Sequence, residues 1–424
     1  MSSESAEHRY RSTYKRGIVN GIMLRTALAL MGPATVTPLF LSHLTTNNWL
    51  IGLGSSVSIA GWFLPQIFGA HLILGMKRRL PFYRWMGLVR GLSFAATGIA
   101  TAFLTIAYPS LLVALFFILM LSSAISGGLA GVIFLDIIGT SIPTKGEPGK
   151  PGRGSFFGWR LALSGMMGIS IGVGVIDPIL EHIAFPYNFA LIYGLASLFV
   201  AVGVTVFGFV PEPPVINPEK RISLGEHLRR SFALVKDDKP FRRYLYTRNS
   251  LMLYMLGMPF YILYADKQFG LTPFWIGMYL SVRFAGEVAF NVLWAKLSDR
   301  GHNRLVMRGA ALVSLLPPLI CLAESQLQLG EVVFALVFFF SGGAQTGAII
   351  GGNNFLLQHA PPDNRPMYIG VINSTLGVTM LSAALGGVIV DQLGYISLFV
   401  VVSAIAILTN AMSARLSPAG STVS

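Results

Sequence analysis

From its amino end, the chain alternates long apolar runs with short polar breaks. Each run is long enough for a membrane helix, which needs roughly 20 apolar residues. The pattern predicts twelve spans, at about 17–43, 49–74, 84–107, 110–142, 155–177, 187–210, 244–265, 272–296, 304–324, 330–359, 366–390 and 395–414. Several exceed one bilayer thickness, so tilt or extension into water is expected. The basic amino end precedes an apolar run without a small-residue cleavage site, so no cleaved signal peptide is expected.

The widest break begins Pro211-Glu212-Pro213-Pro214 and holds the largest basic cluster. It divides the chain into an amino-terminal bundle at 1–210, a cytoplasmic linker at 211–243 and a carboxy-terminal bundle at 244–424. The stretch 223–234 fits two readings, an amphipathic helix on anionic headgroups or a solvated connection. The halves echo each other in order. Asn48-Trp49-Leu50-Ile51-Gly52 opens the second span and Phe274-Trp275-Ile276-Gly277 the eighth. Val89-Arg90-Gly91 is matched by Met307-Arg308-Gly309, and the spacing of Gly158 and Gly165 by that of Gly370 and Gly377. The fifth span ends Val175-Ile176-Asp177, the eleventh Ile389-Val390-Asp391. These echoes predict an all-α integral membrane fold of twelve transmembrane helices in two pseudo-symmetric six-helix bundles, with a site between them at mid-membrane.

Composition narrows the class. Hydrophobic residues make up 53% and charged residues 12% of the 424, about half the charged share of a soluble domain. A soluble multidomain enzyme is excluded. The formal charge of +13 would suggest nucleic acid, but 25 of the 31 basic residues fall in breaks on one predicted side. Lys267 alone is on the other, and five Arg lie inside spans. This asymmetry places both termini in the cytoplasm, in a plasma or inner membrane, and makes the basic patches topological. One cysteine, Cys321, excludes a disulfide framework. The seven His show no metal-ligand spacing and no phosphate-binding loop occurs, so no metal, cofactor, ATP hydrolysis or enzyme activity is expected.

Charges inside spans are costly and therefore informative. Tyr279, Arg283, Glu287 and Asn291 recur at every fourth position of the eighth span, so they share one helical face. Arg283 falls near mid-membrane with Glu287 one turn deeper. Two readings stand. The first is an internal ion pair. The second is a cavity lining in which Arg283 anchors substrate or Glu287 carries a coupling proton. Gln345 and Asn353 in the tenth span, and Tyr254, Tyr261 and Tyr264 in the seventh, are further lining candidates or packing groups. Small residues every fourth position, Ser123, Gly127 and Gly131 in the fourth span and Gly343, Gly347 and Gly351 in the tenth, predict close helix approach. Asp136 and Arg160 lie at similar depth near inner span ends and are expected to pair as an inner gate.

Leu297-Ser298-Asp299-Arg300-Gly301, followed by Arg304, resembles the loop signature of the major facilitator superfamily, Gly-x-Leu-Ala-Asp-Arg-x-Gly-Arg. Ala295 and His302 stand where that pattern has Gly. The first-half copy keeps only the basic run Lys77-Arg78-Arg79. The family's Arg in span four and the antiporter Gly-Pro in span five are absent. The resemblance implies a transporter fold and no particular substrate. It implies that span one lines the cavity, which makes Asn20 and Arg25 candidates there, with Arg25 either meeting an anionic group or snorkelling. Asp299 with Arg300, Arg304 and Arg365 is expected to form the second inner latch. The expected protein is a monomeric secondary transporter of a small organic solute, working by alternating access, with proton or sodium as coupling ion. The alternatives are a lipid-like substrate, or a membrane receptor or assembly factor that does not transport.

Overall fold

The computed structural model describes residues 3–65, 76–143, 150–212, 224–360 and 365–416. Among them the regular structure is helical. In chain order the helices are α1 (Ser3–Met31), α2 (Val36–Ser42), α3 (Asn48–Phe63), α4 (Leu80–Leu104), α5 (Pro109–Ser141), α6 (Arg153–Ile171), α7 (Asp177–His182) and α8 (Tyr187–Gly208). They continue with α9 (Leu224–Asp237), α10 (Lys239–Met252), α11 (Met258–Phe269), α12 (Pro273–Asp299), α13 (Asn303–Leu327), α14 (Gly330–His359), α15 (Arg365–Met380) and α16 (Ser382–Ala414).

Eight helical stretches of the described residues are long and apolar enough to cross a membrane. Four predicted spans take a form that periodicity did not show. The first is broken at Gly32 and Pro33 between α1 and α2. The seventh is α10 and α11 joined by a 3₁₀ turn, Leu253–Leu256, because Pro259 offers no N–H to a continuous helix. The eleventh and twelfth run together through α16, interrupted at Gly394 with φ 81°, a conformation open to glycine at little cost. Part of the second span lies outside the described residues.

The chain forms two compact units, Met1–Gly32 with Gly61–Arg221, and Pro33–Ala60 with Ile222–Ser424. In the first, α1 packs on α6 and α8, and α4 on α5 and α8. In the second, α14 packs on α12 and α13, and α13 on α16. This unit also holds α2, against α11, and most of α3. The side chain of Asn48 donates to Asp391 at 2.7 Å, and Gly52 meets the backbone of Ala383 so closely that a Cβ would collide with it.

The linker region folds further than expected. Residues 224–237 are helical, with Arg229 paired to Glu226 at 2.9 Å. The next helix starts at Lys239, where Asp238 accepts from the N–H of Phe241 at 2.8 Å. That is a carboxylate N-cap followed by proline in the first turn. Tyr368 of α15 donates to the other oxygen of Asp238 at 2.6 Å.

Candidate functional site

The second unit buries an ion pair. Arg283 and Glu287 on α12 are 8% and 7% exposed, and their charged atoms stand 3.3 Å apart. The i, i+4 spacing brings them together on one face, as the sequence stripe predicts. The second guanidinium nitrogen of Arg283 donates to the side-chain oxygen of Gln345 on α14. Tyr254 lies within electrostatic reach of both charges. This close arrangement needs small residues where the helices cross. Gly286 touches the carbonyl of Phe339, and Gly342 touches that of Arg283. The rest of the stripe divides. Tyr279 donates to the carbonyl of Glu331 at 3.1 Å and stacks on Phe338 at 4.6 Å, whereas Asn291 is half-buried.

Tyr261 is 3% exposed and stacks on Phe399 at 5.7 Å, and Tyr254 is 7% exposed. Both tyrosines therefore lie in packing rather than on an open wall. Asn353 is exposed. Its neighbour Asn354, which the sequence pattern did not single out, donates to Ser298 at 2.7 Å. Arg248, also unsuspected, is 2% exposed and donates to the carbonyl of Ala348, its side chain lying across Gly352.

The first unit holds a separate polar cavity of about 130 Å³. Asn20 of α1 is fully buried and donates to the hydroxyl of Tyr83 and the carbonyl of Gly203, both at 2.9 Å. Arg160 of α6 donates to the Asn20 oxygen at 3.2 Å. Arg160 reaches that point because Gly21 leaves room for its side chain. Its guanidinium lies over Phe134 at 4.3 Å. Arg90 of α4 lies over Trp62 at 5.2 Å and Phe94 at 5.9 Å. Arg25 is half-buried on α1, and its charge acts on Arg160. Cation–π contacts return about 2 kcal/mol when desolvated, less than the several kcal/mol that each buried ion costs.

One expectation fails here. Asp136 does not pair with Arg160. Its partner is Arg79, because Arg160 turns inward to Asn20 and Phe134. Glu212 accepts the N–H groups of Arg79 at 2.7 Å and Leu80 at 3.0 Å, which caps α4. Arg304 has a partner outside the expected latch. It donates to the carbonyl of Ala414 at the end of α16, where a cation suits the helix dipole. Arg300 is exposed, and the side chains of Asp299 and Arg365 lie outside the described residues. The glycines of α5 and α14 meet both neighbouring backbones, as at Gly128 and Gly342, and rings. A Cβ on Gly131 would stand 2.8 Å from the Trp62 ring, and one on Gly347 would stand 2.7 Å from Trp294.

Long apolar helices around buried charges define a multi-pass integral membrane protein. Residues 245–421 match the family model described as Major Facilitator Superfamily. Proteins of Mycobacterium tuberculosis and Mycobacterium bovis, both described as uncharacterized, are 24% identical over 397 residues, covering 89% of this chain and 72% of theirs. Three solved structures share the fold. A D-xylose-proton symporter has TM-score 0.72 at 14% identity, covering 96% of this chain and 98% of its own. The nucleoside transporter NupG has 0.64 at 16%, covering 95% and 98%. A POT family transporter in complex with 5-aminolevulinic acid has 0.68 at 14%, covering 95% and 96%. Residues 245–421 are thus similar to the Major Facilitator Superfamily, and the chain shares its fold with solved transporters.

Proposed function

We propose that this chain is a secondary active transporter that moves a small organic solute by alternating access. Its twelve spans form two six-helix bundles, at 1–210 and 244–424, joined by a cytoplasmic linker at 211–243, with both termini cytoplasmic. The observation that carries the reading is the Arg283, Glu287 and Gln345 cluster. Two charges buried this deeply in an apolar helix pair are costly, and such groups mark solute or ion pathways. Glu287 is the coupling group, since it exchanges a proton when Arg283 turns to substrate. The contacts of Asn48 and Gly52 with α16 support a latch that opens and closes in the cycle.

The test is solute uptake into sealed proteoliposomes under imposed pH and sodium gradients. Gradient-driven uptake is expected, with Arg283→Ala abolishing it and Glu287→Gln uncoupling it from the pH gradient. Full gradient-driven uptake by both variants at normal expression would overturn the assignment. A lipid-like substrate has one observation behind it. A groove of about 620 Å³ between α4 and α8 is lined by exposed Trp85, Leu88, Leu92 and Phe209, with Arg84 over Phe209 at 4.9 Å. Lipid movement in the same vesicles without solute uptake would select that reading.

A further inference from the structure

The cavity of the first unit presents donors and positive charge without an anion to meet them. Arg90 and Arg160 both line it, with the Tyr83 hydroxyl between α1 and α5. The Nε atoms of Arg90 and Arg160 are shut from solvent and have no hydrogen-bond partner among the described residues. Among the described residues no carboxylate lines the cavity. The described acids of this unit are committed elsewhere. Glu7 is paired to Arg11 and Lys150, Asp136 to Arg79, and Glu212 caps α4. Asp177 follows Arg160 by 17 residues, about 25 Å along a helix. The single acceptor that faces Arg160, the Asn20 oxygen, is already used. Ring stacking returns only part of what burial of two like charges costs.

These features fit one kind of occupant. A guanidinium offers a planar fork that matches a carboxylate or phosphate oxygen pair. The Tyr83 hydroxyl accepts from Asn20, which leaves its own proton to donate. The volume of about 130 Å³ suits an anionic headgroup. It is too small for a whole drug-sized ligand, whose pockets run about 300–1,000 Å³. Trp62 and Phe134 on the walls favour a ligand with an apolar or aromatic body next to its charge. We infer that this cavity is an anion subsite in which Arg90, Arg160 and Tyr83 hold the carboxylate or phosphate headgroup of a ligand. Resting on the transporter reading, it assigns the solute to the organic anions. A phospholipid headgroup presents the same chemistry and is the second source.

The experiment uses the full chain in phosphatidylcholine nanodiscs and follows tryptophan fluorescence and the unfolding midpoint. Inorganic phosphate and benzoate are the soluble probes, with chloride at matched ionic strength as reference. The expected result is a saturable fluorescence change with phosphate or benzoate and a midpoint rise of about 2–4 °C. Arg90→Gln and Arg160→Gln should each weaken half-saturation by at least about tenfold, and Arg229→Gln on the exposed face of α9 should leave it unchanged. Arg90→Lys keeps the charge without the fork and should weaken the response if Arg90→Gln fails to fold. Nanodiscs with phosphatidylglycerol provide the other arm. A response already saturated there, and lost in Arg90→Gln, assigns the headgroup to lipid.

A wild-type response to all three probes no larger than that to chloride overturns the site. So does a response that Arg90→Gln and Arg160→Gln leave intact. Uptake of neutral solutes with no anion response sinks this inference alone. An anion response without transport of any solute sinks the transporter reading and leaves the subsite standing.

Discussion

Arg79 pairs with Asp136, 57 residues further along the chain. The first-half loop keeps its basic run but has no acid of its own, and α5 supplies one from near its carboxy-terminal end. The coupling is measurable. A double-mutant cycle on Arg79→Ala and Asp136→Ala should give about 1 kcal/mol, since the pair is only partly buried. The cycle on Asp136→Ala and Arg160→Gln should give close to zero. Unfolding midpoints of the four variants in each cycle provide the check.

Breaking one side of the Arg283 and Glu287 pair should cost more than removing both. Arg283→Ala strands a buried carboxylate and should destabilise by about 3–5 kcal/mol. The double variant Arg283→Ala with Glu287→Gln should recover most of that loss while remaining inactive. Denaturation and uptake measured on the same preparations separate the two effects.

The contact between Asn48 and Asp391 should control access at that end. The bond is exposed, so its removal is worth about 0.5–1.5 kcal/mol, a two- to tenfold change in population. In a chain carrying Asn47→Cys, Asp391→Ala should raise the thiol labelling rate by that factor. The background is quiet because the native Cys321 is buried. An unchanged rate would remove the latch role.

Gly131→Ala should push the Trp62 ring and cost about 1–3 kcal/mol through overpacking. The emission of Trp62 should shift with it, since the same ring carries Arg90. A substitution at Gly139, where a Cβ meets nothing within 4 Å, should leave both unchanged.

Local pattern carried what depends on near neighbours in sequence. The Arg283 and Glu287 pair was legible because one helix turn separates them, and the apolar runs were legible because a bilayer demands their length. Partners set by tertiary packing were not. The commitment of Arg160 to Asn20, 140 residues away, is decided by the space above Gly21. The carbonyl partner of Arg304 at Ala414, 110 residues away, is likewise set by packing. Arg90 was visible as a lone arginine in an apolar span, which is signal enough to ask what holds it. It was absorbed into a repeat comparison instead. The N-cap at Asp238 was legible in Asp238-Lys239-Pro240, but the span boundary drawn at 244 hid it.

The membership of residues 33–60 in the second compact unit has a consequence for how the chain is made. Asn48 leaves the ribosome 343 residues before its partner Asp391. At about 5–20 residues per second, that is a wait of roughly 20–70 s. During this interval α3 lacks the surface that α16 will later offer it. Early-made helices must then be held by the insertion machinery or by lipid until the last quarter of the chain arrives. A contact begun at Asn48 is thus completed only once Asp391 has been made.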